Sequence, residues 1–80
     1  MIYTHITKKA LKLCFEAHKE QVDKSGMPYV FHPFHLAEQM QTEEMTVVAL
    51  LHDLVEDTDY TIEDLTSMGF SKNITDAIAL

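Results

Sequence analysis

His52 and Asp53 stand side by side near the end of the run VVALLHDLVEDT, and Glu56 and Asp57 follow one helical turn later. An adjacent His-Asp pair offers an imidazole nitrogen and a carboxylate oxygen to one cation. That mixture suits Mn, Fe or Zn better than Ca or Mg, which take oxygen ligands. On a helix the spacing i, i+1, i+4, i+5 stacks His52 over Glu56 and Asp53 over Asp57, all within a sector about 140° wide. The residues before them, Val47, Val48, Ala49, Leu50 and Leu51, are apolar, so the segment reads as a central helix buried on every side. A His and three carboxylates buried together are costly unless a metal or a cationic partner satisfies them. The competing account is a solvated helix end with a dipole-favoured His, but acidic residues oppose the dipole there.

The elements that must carry these residues are helical. Ile6, Ala10, Leu11, Cys14, Phe15, Ala17 and Val22 recur at helical spacing, which predicts a first helix over Ile6 to Val22 with Thr7 as its N-cap. Lys24, Ser25 and Gly26 stop it. MPYVF, from Met27 to Phe31, is too short for a strand. Pro33 takes the first-turn position of a second helix, which makes His32 its N-cap, and Phe34, Leu36, Ala37 and Met40 continue it. The central helix spans roughly Glu43 to Asp57. Thr61 caps a fourth, with Asp64 in a variant of the capping box, and Gly69 ends it. Ser71 caps a fifth, which reads Ile74, Ala77, Ile78, Leu80. Cys14 and Phe15 are expected in the core, the methionines in packing, and His5 and His35 at the surface. The fold class is all-α, one domain of about five helices.

Eighty residues allow a single modest core. Thirteen carboxylates against six basic side chains argue against a nucleic-acid surface and an anionic membrane, but not against a small anionic substrate once a metal supplies positive charge. A single cysteine excludes an internal disulfide and fits a reducing cytoplasm. No stretch is long and apolar enough to span a bilayer.

The strings AHKEQVDKSGMPYVFHPFHLA and ALLHDLVEDTDYTIEDL resemble the HD-domain phosphohydrolases of the RelA/SpoT type, which degrade the alarmone (p)ppGpp. A lone His-Asp or His-Pro pair is weak, but KSGMPYVFHP and LLHDLVEDT, in order and correctly spaced, are a strong signal. The match runs from about Leu11 to Phe70. The resemblance implies an all-helical HD-type bundle holding a divalent metal, commonly Mn2+, through His32, His52, Asp53 and a more distant Asp that lies beyond residue 80. It implies that Glu56 and Asp57 position and activate the attacking water, and that Lys24 and Ser25 contact the guanosine nucleotide. Asp23 stands where the family usually has Arg, replacing a guanidinium that grips phosphate or stacks on a base with a carboxylate that does neither. Lys24 has a second reading, as a helix C-terminal lysine bonded to carbonyls. His18 reads either as a family residue or as a packing histidine.

The sequence thus points to the N-terminal portion of an HD-type domain, residues 1–80, acting as a (p)ppGpp 3′-diphosphatase. The alternative is a degenerate module that binds a nucleotide or a protein without turnover, which Asp23 and the missing distal Asp favour. Because the chain stops within an apolar helical pattern, the stripe of Ile74, Ala77, Ile78 and Leu80, extended by Leu65, Met68 and Phe70, is expected to be exposed and to form a homo-oligomer through the C-terminal helix.

Overall fold

A computed structural model describes all 80 residues. Five helices follow in chain order: α1 (His5–His18), α2 (Phe31–Glu38), α3 (Glu43–Asp57), α4 (Ile62–Ser67) and α5 (Lys72–Ala79). There is no sheet, only an isolated antiparallel bridge between Val22 and Pro28. The all-α reading holds, and the bounds of α3 agree with those expected.

The helix starts follow from local chemistry. Thr42, Thr61 and Ser71 cap α3, α4 and α5 by accepting the amide hydrogens of Met45, Asp64 and Ile74. At α4 the box closes completely, because the Asp64 carboxylate reaches back to the Thr61 amide at 2.9 Å. Two expected starts are corrected. The cap of α1 is Thr4, and Thr7 is the third helical residue, whose hydroxyl accepts the Thr4 amide at 2.7 Å. A threonine pair three apart reads as a cap at either member, and the pair closes reciprocally only with Thr4 outside. In the second case His32 is not a cap. α2 begins at Phe31 after Val30, which offers no side-chain cap, so His32 and Pro33 both lie in the first turn. Amides there have no partner within the helix, so proline fits at its third position as well as at its first. The His32 side chain is thereby free to turn outward.

α1 ends at His18, earlier than Val22, and the chain then doubles back. The Asp23 carboxylate accepts the amides of Ser25 and Met27 at 2.8 and 3.0 Å, and Asp23 and Met27 pair through the backbone. Gly26 completes this turn at φ +82, where a side chain would be strained.

α3 is the hub, packing on α1, α2 and α5. Its Val47, Leu50, Leu51 and Leu54 are buried and meet Ala10, Leu13, Cys14, Val30, Ala37, Leu65, Phe70, Ile74 and Ile78 in one cluster. The expectation that α3 is buried on every side is corrected. Val48 and Ala49 are half-buried, Met45 and His52 are exposed, and this flank lines a groove of about 540 Å3 with Leu36, Met40 and Ala77. Phe15, expected in the core, is half exposed, and Met27 and Met45 are exposed rather than packed. α3 is apolar nearly all round, but 80 residues supply neighbours for only part of its circumference.

The terminal stripe is also corrected. Leu65, Phe70, Ile74 and Ile78 close this core against α3 and are not an exposed patch; of the stripe, only Leu80 is fully exposed. Lys9 locks the α4–α5 corner to α1 by donating to the Met68 carbonyl and lying 5.4 Å over the Phe70 ring. Truncating Ile78 to Ala is therefore expected to cost about 2 kcal/mol or more, and Ile78→Lys to unfold most of the chain, both read by circular dichroism in urea. A lysine variant that stays folded and merely turns from dimer to monomer in light scattering would contradict this packing.

Candidate metal centre

The three side chains expected to hold a metal come together although they lie on two helices. His32 projects from the first turn of α2, and its Nε2 lies 3.7 Å from Asp53 Oδ2. His52 and Asp53 are neighbours on α3, with His52 Nδ1 at 3.1 Å from Asp53 Oδ1. Each imidazole thus faces one oxygen of the same carboxylate. The two histidines are more than half exposed, whereas the Asp53 side chain is only 18% exposed. The expected burial of four polar groups is therefore corrected to the partial burial of one, Asp53, with His52, Glu56 and Asp57 at the surface.

The connection between α1 and α2 supplies the remaining donor. The Tyr29 phenol lies 2.7 Å from Asp53 Oδ2 and 3.1 Å from Asp57 Oδ2. The helical stacking of Asp53 over Asp57 is thus realised, with one hydroxyl serving both. Glu56 is exposed and takes no part in this network. Lys24 and Ser25 sit on the exposed turn built by Asp23, and the Lys24 ammonium forms no ion pair.

The electrostatics follow from this crowding. Burial pushes the Asp53 carboxyl up, but the Tyr29 and His52 hydrogen bonds and the positive charge of His52 and His32 outweigh it, holding the group below its ordinary 3.8. Burial and the two carboxylates push the Tyr29 phenol far above its ordinary 10, so it remains a proton donor at every physiological pH. Burial, and then the charge of Asp53, push the Cys14 thiol up to about 12, which leaves it an inert core group.

Two imidazoles and a carboxylate suit a borderline divalent cation. Donor atoms about 2.1 Å from one cation lie roughly 3.0–3.4 Å apart, and the separations of 3.1 and 3.7 Å fall within and just beyond that span. As the side chains stand, no three donors share one centre, because both rings are directed at Asp53. The residue types and their proximity therefore fit a metal, while in the present poses His52 is hydrogen-bonded to Asp53 and His32 stands in ion-pair range of it.

Sequence reasoning passed over Tyr29 and Gln21 and left the role of His18 open. His18 is wholly buried, its Nδ1 meets Gln21 Oε1 at 2.8 Å, and Gln21 Nε2 donates to the Asp57 carbonyl at 3.0 Å. The signal was present in AHKEQ and MPY, strings already singled out, but hydrogen bonds from these residues to a distant helix end leave no periodic trace.

No protein-family model matches the chain. It is 42% identical over 62 residues to the guanosine-3′,5′-bis(diphosphate) 3′-pyrophosphohydrolase of Aquifex aeolicus, covering 72% of this chain and 9% of that protein. It is 40% identical over 65 residues to a probable GTP pyrophosphokinase of Mycobacterium leprae (76% and 8%). Over 75 residues it is 35% identical to the bifunctional (p)ppGpp synthase/hydrolase SpoT of Escherichia coli (89% and 10%). The chain is thus related to one segment of proteins of the RelA/SpoT type, and it spans about a tenth of the length of the curated relatives it matches. No helix is long and apolar enough to cross a membrane.

Because Asp53 titrates below its unfolded value, it stabilises the fold above the ordinary carboxylate pKa, and that contribution disappears as pH falls through the lowered value. Urea midpoints measured with a chelator present should fall as pH drops below about 5 and through the lowered value, and Asp53→Asn should flatten part of that slope. An unchanged slope in the variant would show that the carboxylate is not held in its charged form.

Proposed function

We propose that the chain is the metal-binding portion of an HD-type phosphohydrolase that removes pyrophosphate from the 3′ position of (p)ppGpp. The observation that carries this reading is the meeting of His32, from α2, with the His52–Asp53 pair of α3. A His-Asp pair alone is common; a third donor arriving from another helix at the position the resemblance requires is not. The relatives named for (p)ppGpp hydrolysis support the substrate class.

In this reading His32, His52 and Asp53 hold a divalent cation, Mn2+ first among the candidates. Bound there, the cation would polarise the phosphorus and lower the pKa of the attacking water. The protein's own part is proton transfer and placement. Glu56 or Asp57, one turn beyond the His-Asp pair, accepts the proton that water releases. Glu56 is exposed and unconstrained by this network, whereas Asp57 is oriented by Tyr29. Lys24 and Ser25, on the exposed turn, contact the nucleotide, and the Lys24 ammonium is the cationic group offered there to a phosphate.

A second reading, nucleotide or protein binding without turnover, is favoured by Asp23. Its carboxylate is engaged in the turn, so the position that would carry a phosphate-gripping guanidinium is committed to backbone structure.

Divalent metal is expected to raise the melting temperature. At about a hundredfold excess over Kd the gain is roughly 2.7 kcal/mol, on the order of 10 °C or more for a domain of this size. His52→Ala should abolish the rise. Turnover of (p)ppGpp by the 80-residue chain should stay below about 1 per second. A melting temperature unmoved by Mn, Zn, Ni or Co would overturn the metal site, and binding of (p)ppGpp without release of pyrophosphate would favour the second reading.

A further inference from the structure

We propose that Tyr29 is a positioning residue that orients Asp53 and Asp57 together through one phenol, and that His18 and Gln21 hold the end of α3 to which it is fitted. The inference rests on the metal site proposed above and assigns a function to residues that touch neither metal nor substrate.

Two carboxylates one turn apart repel each other, and each can rotate freely unless a donor fixes it. The Tyr29 hydroxyl reaches both, at 2.7 and 3.1 Å. A phenol has one proton, so the two carboxylates share it, and the shorter distance gives Asp53 the larger share. A carboxylate that binds a metal depends on such outer donors for its orientation.

Tyr29 is itself held on several sides. Its amide donates to the Gln21 carbonyl at 2.9 Å, and its ring packs against His18 and His32 with centroids 5.0 and 5.9 Å away. Gln21 then returns to α3, donating to the Asp57 main-chain carbonyl. Asp57 is thus tied to the same connection by its side chain, through Tyr29, and by its backbone, through Gln21. His18 completes the chain by donating from Nδ1 to Gln21, which leaves Nε2 as a buried acceptor without a partner, the single such side-chain atom in the protein. An unsatisfied buried nitrogen is a cost that an apolar side chain would avoid. Its presence is accounted for by the bond that sets the Gln21 amide.

The test is calorimetric titration of Mn2+ into the 80-residue chain carrying tyrosine, phenylalanine, 4-fluorophenylalanine or 3-fluorotyrosine at position 29, with His52→Ala as control. Tyr29→Phe is expected to weaken binding by about 10–100-fold, while far-UV dichroism shows the helices retained. The 4-fluorophenylalanine variant fills the space of the hydroxyl without its proton, so it should bind as weakly even if phenylalanine loosens the packing. The 3-fluorotyrosine variant keeps the proton and should bind like the parent. Wild-type affinity in the 4-fluorophenylalanine chain, or weak binding in the 3-fluorotyrosine chain, overturns the proposal. If those variants match the parent and only His52→Ala loses binding, the metal site stands and the role of Tyr29 falls. If the parent takes up no Mn2+, the metal site is overturned and the role of Tyr29 with it.

Discussion

A carboxylate set into the side of an apolar helix must be given donors or lose its charge. Asp53 is in that position, 18% exposed, one residue from Leu54 and close enough to Cys14 to raise its thiol. Left alone, such a group is driven toward the neutral form. Instead three segments deliver polar atoms to it: the α1–α2 connection through Tyr29, the start of α2 through His32, and α3 itself through His52. The rest of the site is arranged around that requirement.

Several features of the fold that look like detail follow from it. α2 begins without a capping side chain, and His32 is consequently free to face α3. The connection between α1 and α2 is held in shape by Asp23 and by Gly26 at positive φ, and it returns the chain so that Tyr29 lies over His18. Asp23, which departs from the family pattern, is therefore not idle: a carboxylate that accepts two backbone amides shapes the turn from which Lys24 and Ser25 project. Change at this position exchanges a charge offered to solvent for an organised loop.

The flank of α3 opposite the core is of another kind. Val48, Ala49 and Met45 line an apolar groove that reaches His52 itself. These apolar residues flank a proposed metal ligand whose own side chain is more than half exposed. The groove exists because α3 carries more apolar surface than α1, α2 and α5 cover, and the surplus falls next to the histidine.

The sequence by itself determined the helices and the identity of the candidate ligands. Periodicity and caps located α3, α4 and α5 closely, since Thr42, Thr61 and Ser71 act on amides three residues away and need no distant partner. It also placed Asp53 over Asp57, a consequence of helical pitch alone. Where two local solutions competed, as between Thr4 and Thr7 or at the entry to α2, it chose wrongly, because the choice depends on a reciprocal bond or on where the preceding chain arrives. Which apolar residues would be covered was decided only by tertiary structure. Ile74 and Ile78 are as hydrophobic as Met45 or Phe15, yet the first pair is buried and the second pair is not, because α5 folds onto α3. The meeting of His32, Tyr29, Gln21 and Asp53 was likewise invisible to spacing. Those groups are separated by turns and helices, and what joins them is the packing of α1 and α2 on α3, which no local rule encodes.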